Sequence, residues 1–353
     1  MNALRSVLML GTLGMLIGAA GTAEPASSSG ANMAAAATRF LESLSPEQKA
    51  RALFSFDDKE RLNWHYIPLE DKNARKSTRK GLPLEAMNAK QKAAAMNLLR
   101  AGTSSSGYTK ATNIIDFENM LAKYEKGGPW TRTPGWYFVS IFGKPSKSGR
   151  WGWRIEGHHL ALNFVIDQDK VVSASPAFFG TNPAIVKEGP KKGYRNLAKA
   201  EELARELFNS LDEEQKKTAH QPQHFPQIEG RNPVLKVGKP VGLPAAKMTE
   251  KQWNLLVQLI QSYADRLPSD VAKAEMDQVK EGGIEKIYFG YSGGNRIGQP
   301  HTYRVQGPTF LIDFNCEQTD SLNNPGNHIH SVFRNLQRDF ALDSAKPKEQ
   351  EAK

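Results

Sequence analysis

The chain has one cysteine, Cys316, so no intrachain disulfide can form. Stability then has to come from packing, helped where available by a bound ion, and a lone thiol of this kind reads as a small buried residue. No long apolar run follows the first 23 residues, which excludes a second membrane-spanning helix. Several catalytic signatures are missing: G-x-S-x-G, the P-loop, H-E-x-x-H, C-x-x-C, and a strand-preceded G-x-G-x-x-G. Aromatic interleaving is also missing from the densest basic run, Lys187, Lys191, Lys192 and Arg195, where Tyr194 stands alone. That run therefore reads as a solvated linker and no nucleic-acid partner is expected, although a formal charge of +10 leaves room for weak affinity to anionic surfaces or polysaccharides.

The ends carry simple instructions. Arg5, the apolar stretch Val7 to Ile17, and the small residues Gly21-Thr22-Ala23 read as a signal peptide over residues 1–23. The stretch is too short and glycine-rich for an anchor, so the expected location is periplasmic or extracellular, without stable membrane insertion. Residues 24–36 read as a flexible lead-in, and 344–353, charged and without aromatics, as a disordered tail.

Between these ends the sequence repeats itself. Leu44-Ser45-Pro46-Glu47-Gln48-Lys49 recurs as Leu211-Asp212-Glu213-Glu214-Gln215-Lys216, and Gly81-Leu82-Pro83 recurs as Gly242-Leu243-Pro244. Trp153 to Phe164 (WRIEGHHLALNF) aligns with Tyr303 to Phe314 (YRVQGPTFLIDF), with three identities and seven conservative changes. The blocks keep their order, which chance similarity does not. Ser45, Asn88, Asp212 and Thr249 each precede a glutamine by three residues, the capping-box spacing of a helix start. Further helices are expected near 112–126, 194–210 and 268–282. Aromatic and β-branched runs at 135–142, 160–166, 171–175, 284–291, 310–316 and 328–333 read as strands. The expected fold is α+β. It comprises two diverged repeats, 37–190 and 191–343, each of helices followed by an antiparallel meander, packed about a pseudo-twofold axis.

Histidines mark where the repeats differ. Within the twelve-residue match only His158 against Pro308 and His159 against Thr309 change chemical type. In the other half His328 and His330 stand on the strand matched to Val171–Ser173, which has none. Strand parity sends Leu160, Leu162, Phe164 and Ile166 to a core and His159 with Asn163 to the opposite face. Likewise Ile329 and Phe333 point inward, and His328 and His330 share the polar side with Asp313, Asn315 and Glu317. His-x-His on a strand sets two imidazoles side by side, an arrangement suited to zinc or copper, and His159 supplies a third ligand from the other half. His158 is a further metal candidate or a hydrogen-bonding neighbour, while Glu156 and Glu317 are the candidate general bases or oxygen ligands. His65 and His301 are weaker candidates; His220 and His224 read as solvent-facing. Arg154 and Arg304 occupy equivalent positions and therefore read as scaffold.

At GWRIEGHHLALNF, FFGTNPA and NHIHSVFRN the chain resembles a secreted bacterial family called domain of unknown function 3500. The resemblance runs from about residue 37 to 343. It points to the strand from Trp151 to His159 and the segment from Asn327 to Val332, and it implies no reaction. Members of that family often read W-R-D and later D-F-G, where this chain has Phe333-Arg334-Asn335 and Asp339-Phe340-Ala341. The expected function is a secreted metal-dependent enzyme, with hydrolysis by metal-bound water favoured by nearby carboxylates. The alternatives are a copper-dependent oxidoreductase and a non-catalytic periplasmic protein that binds a metal or small ligand.

Overall fold

The computed structural model describes residues 28–235 and 237–342, so the expected signal peptide and the whole expected tail lie outside the described residues. Its helices are α1 Ser29–Glu42, α2 Pro46–Ala52, α3 Ala89–Ala101, α4 Ser105–Tyr124, α5 Ala198–Ser210, α6 Glu213–Ala219, α7 Glu250–Ala264 and α8 Ser269–Glu281. The strands of the first half are β1 Leu53–Phe54, β2 Glu70–Asp71, β3 Lys76–Ser77, β4 Leu82–Pro83, β5 Phe138–Phe142, β6 Trp151–Gly157, β7 Leu160–Asp167, β8 Lys170–Ser173 and β9 Ala177–Thr181. Those of the second are β10 Leu243–Pro244, β11 Tyr288–Gly293, β12 His301–Gln306, β13 Phe310–Gln318 and β14 His328–Asn335.

All four expected capping boxes form, at Ser45, Asn88, Asp212 and Thr249. Their glutamines do a second job. Gln48 and Gln91 exchange amide hydrogen bonds at 3.1 and 2.7 Å, and Gln215 and Gln252 do the same at 3.0 and 2.8 Å. Each pair ties a short helix to the long helix that follows, so the N-termini of α2 and α3, and of α6 and α7, are satisfied together. The helix Ser29–Glu42 corrects the reading of 24–36 as a flexible lead-in. Ser28 caps it through the Ala31 N–H at 3.1 Å, its alanines favour helix, and Met33, Ala37 and Phe40 bury one face.

Twelve strands form one mixed sheet in the order β1-β5-β6-β7-β9-β14-β13-β12-β11-β10, with β4 on β5 and β8 on β7. Only β1–β5 is parallel among these named pairs. The halves meet where β9 pairs with β14, His330 opposite Gly180. The earlier match of the His328 strand to Val171–Ser173 needs correction. β8 pairs only with the outer end of β7, Val165–Asp167, across a register shift at Val165/Ile166, and β9 lies beside the inner end at Leu160–Leu162.

Parity builds two cores. Leu160, Leu162, Phe164, Ile329 and Phe333 join the large cluster under the helices, while Ala161, Phe178 and Val332 face a smaller one with Trp64, Tyr66 and Ile228. Trp153 stacks on Phe164 at 4.5 Å, and Tyr303 on Phe314 at 4.6 Å. Trp151, Trp153 and Trp64 are thus core residues. Cys316 is buried and burial pushes its thiol well up, which leaves it inert.

Candidate metal centre

The centre lies at the β9–β14 seam, on the sheet face opposite the helices. β6 and β7 are joined by a two-residue turn, His158-His159, between the paired residues Gly157 and Leu160. His159 adopts φ 63, a left-handed backbone that costs an L-residue about 1 kcal/mol. Two backbone bonds hold it there: its N–H donates to the Tyr66 carbonyl and its carbonyl accepts from the Gly180 N–H, both at 2.8 Å. Gly180 also makes room, because a β-carbon there would stand 2.8 Å from the Ile329 carbonyl oxygen and 3.1 Å from His159 Cδ2. His328 and His330 project from the start of β14, beside a register shift in β13 between Asn315 and Gln318. Such bulges re-aim side chains.

The three rings converge. His159 Nε2 lies 2.8 Å from His328 Nε2 and 3.2 Å from His330 Nε2. The planes cross at 67°, 60° and 81°, and one ligand atom from each histidine lies within 4.8 Å of the other two. Tetrahedral zinc with Zn–N near 2.0–2.1 Å places nitrogen pairs about 3.3 Å apart, so small ring rotations suffice to hold an ion. Burial pushes His159 and His330 well below the usual imidazole range and takes His328 down to about 4. All three stay neutral at pH 7 and present lone pairs.

Hydrogen bonding fixes which nitrogen does so. Glu317 Oε1 is a carboxylate acceptor, so the Gln227 amide nitrogen faces it at 2.6 Å, which turns Gln227 Oε1 toward His330 Nδ1 at 2.8 Å. His330 must donate from Nδ1, and its bare Nε2 points into the cluster. This outer-sphere support is the usual companion of a metal-ligating histidine. His328 makes a backbone hydrogen bond with Thr319, and Tyr66 packs edge-on to His330 at 5.1 Å.

The remaining candidates fall elsewhere. His158 stacks on His159 at 3.7 Å, but its Nδ1 is 2.6 Å from Glu118 Oε1 and Arg132 lies 3.1 Å away, so it stands beside the group of three. Burial holds both partners toward neutrality, with Glu118 pushed up to about 8 and His158 well down. Glu156 is not a free base at the centre: it pairs with Arg79 at 3.1 Å and Arg154 at 3.3 Å and accepts the His65 N–H at 2.8 Å. Glu317 accepts from the Gln227 amide at 2.6 Å. Among the weaker candidates, His65 bonds Asn63 and Arg231, and His301 is sandwiched between Tyr291 and Phe314. His220 and His224 are exposed.

Gln227, Tyr66, Arg132 and Glu118 are new to the site. Glu118 had a signal, being the one carboxylate on the buried stripe Ala111, Ile114, Ile115, Leu121 of α4. Gln227 sits in irregular chain, and no pattern announces it.

With this geometry the chain can be set against known proteins. A family model matches residues 26–342. The chain belongs to that family, described as "Protein of unknown function (DUF3500)". No curated protein and no solved structure matches it. Two departures from the DUF3500 motifs can now be placed. Asn335 ends β14, five residues from His330, and bonds Glu275 and Gln278. Ala341 takes φ 48 where the D-F-G pattern has glycine. Neither touches the histidines.

Proposed function

We propose that the chain is a metal-dependent enzyme whose ion is held by His159, His328 and His330, with hydrolysis as the favoured chemistry. The observation that carries the reading is the convergence of three neutral, buried imidazoles within 4.8 Å. Neutral ligands leave the charge of a divalent cation uncompensated, which keeps a bound water acidic and reactive. Three protein ligands would leave room for a fourth, and His328 is the least buried of the three. Glu156 is held by Arg79 and Arg154 and Glu317 accepts from Gln227, so the chemistry a bound divalent ion would supply here is acidification of a water for hydrolysis. The same nitrogen set suits copper, and the metal decides between hydrolytic and redox chemistry.

Metal analysis of the purified mature protein is the test, paired with zinc and copper titration of chelator-stripped wild type and His159→Ala. Stoichiometric zinc lost in the variant supports the reading; copper alone moves it to an oxidoreductase. Equal affinity in both proteins overturns it, and a coordinatively closed ion moves it to binding or storage. On the same footing we take the chain to be exported after cleavage near Ala23, which N-terminal sequencing of recovered protein checks. We also infer that the halves arose by duplication about a pseudo-twofold axis at the β9–β14 seam. The matched glutamine pairs, the matched aromatic stacks and the matched edge strands β4 and β10 support this. Failure of Trp153–Phe164 to superpose on Tyr303–Phe314 under a near-180° rotation defeats it.

A further inference from the structure

A cavity lies among helix starts on the helical side of the sheet. It encloses about 520 Å³, and Arg266 in its wall reaches Ser331 Oγ at 3.5 Å. Ser331 follows His330 on β14 and so points to the opposite, helical face.

Three helices begin at this cavity: α4 at Ser105, α5 at Ala198 and α8 at Ser269. Helix starts leave backbone N–H groups without partners and carry the positive end of the helix dipole. A side-chain cap quenches part of that at α4, where Ser104 accepts from Gly107 N. The caps of α5 and α8, Leu197 and Pro268, offer no side-chain acceptor, though Glu201 stands in the first turn of α5 and Asp270 in that of α8 accepts from the Val271 N–H at 3.0 Å.

Charge points the same way. Lys110, Lys199 and Arg266 line the cavity, and among the described residues Asp265 is the one acid in its wall. Asp265 is already engaged, with Lys199 at 3.2 Å and Gln261 at 2.7 Å. Arg266 is 3% exposed and pairs with no carboxylate among the described residues. It lies over Tyr263 at 4.1 Å and Phe179 at 5.0 Å and hydrogen-bonds the Tyr263 side chain, while its Nε has no hydrogen-bond partner. A buried guanidinium without a counter-ion is costly, and a ligand anion supplies what the fold does not. Lys110 is held in place by Ser106 at 2.8 Å, and burial together with the neighbouring Arg266 and Lys199 lowers its affinity for its proton.

We propose that this cavity is an oxyanion site that takes a phosphate or sulfate group, as a free ion or as the head of a small monoester. Convergent helix starts and basic side chains are the general means of holding such groups.

Calorimetric titration at fixed ionic strength tests the proposal, with inorganic phosphate, inorganic sulfate and glycerol phosphate as probes. Chelator-treated wild type and His159→Ala are both used, so that an anion resting on a metal is not mistaken for one in this cavity. Saturable binding is expected, the same in both proteins. Lys110→Ala and Lys199→Ala each weaken it about tenfold or more, as expected for a charge-assisted bond. Lys123→Ala, on the exposed face of α4, leaves it unchanged. Arg266→Met abolishes it; if that variant does not fold, the two lysine variants carry the test. Tighter binding of glycerol phosphate identifies an esterified ligand and tighter binding of phosphate or sulfate identifies the free ion, and either outcome supports the site. The proposal is overturned if wild type binds none of the three, if the lysine variants bind like wild type, or if binding disappears in His159→Ala.

Discussion

Gln227→Leu isolates the part of the metal centre that pure proximity does not explain. The substitution keeps the side chain's bulk and removes two hydrogen bonds, one from His330 Nδ1 at 2.8 Å and one to Glu317 at 2.6 Å. Glu317 is half-buried and turns to water at little cost. His330 is 8% exposed and has no such escape. Its Nδ1 proton is left without an acceptor, and the alternative tautomer puts a proton on Nε2, the nitrogen that would bind the proposed ion. Leaving a buried donor unsatisfied costs about 1–3 kcal/mol, which corresponds to roughly ten- to hundredfold in affinity. Outer-sphere losses at metal sites span about the same range. Zinc competition against a chromophoric chelator measures the affinity, and urea unfolding of the metal-free protein confirms that the fold is intact. Gln227→Leu is expected to bind ten- to hundredfold more weakly, and His330→Ala to lose tight binding. If Gln227→Leu binds as wild type does while His330→Ala fails, the amide does not orient the ring and the hydrogen-bond reasoning is wrong.

Three further outcomes follow from the coordinates. Gly180→Ala forces a β-carbon to within 2.8 Å of the Ile329 carbonyl oxygen and 3.1 Å of the His159 ring. It should cost about 1–3 kcal/mol in chemical denaturation and weaken zinc at least tenfold; unchanged zinc affinity refutes the steric role. Ala341→Gly relieves φ 48 and should stabilise by about 1 kcal/mol, read as a rise in Tm of about 2 °C; a fall in Tm counts against strain there. Glu118 is raised from 4.5 to about 8, so the folded state holds its proton more tightly than the unfolded chain. Its contribution is complete below about pH 4.5 and is lost as pH rises through 8. Metal-free Glu118→Gln should therefore gain stability relative to wild type as pH goes from 5 to 8, and a constant difference would show that the carboxyl is not perturbed.

The sequence carried most of the long strands but not β9, Ala177–Thr181, and it carried the four capping boxes and the grouping of His159, His328 and His330, because each of these rests on a local rule. Period-two alternation decides which face a strand residue takes, and a histidine that breaks a repeat stands out without any knowledge of the fold. Other features were out of reach for equally physical reasons. Which strand lies beside β7 depends on a register shift at Val165/Ile166, which alternation does not encode. Glu156 reads as an available base until Arg79, 77 residues earlier in the chain, is seen to neutralise it. Residues 29–36 read as part of a small-residue leader because alanine serves both tethers and helices, and only Met33 and Phe40 reveal the buried face of the helix.

The position of the histidines has a consequence for how the chain is held closed. His159 and His328 are 169 residues apart, and a shared ion would join them as a removable cross-link in a protein with one cysteine. A cross-link over so long a loop restricts the unfolded chain by an entropy worth about 5 kcal/mol on the disulfide scale. Unlike a disulfide, this tie answers to concentration. Each tenfold rise of free metal above the dissociation constant adds about 1.4 kcal/mol to the folded state. The lifetime of the protein would then report how much metal its surroundings hold, and a strong chelator would act on it as a reducing agent acts on a disulfide-bonded one.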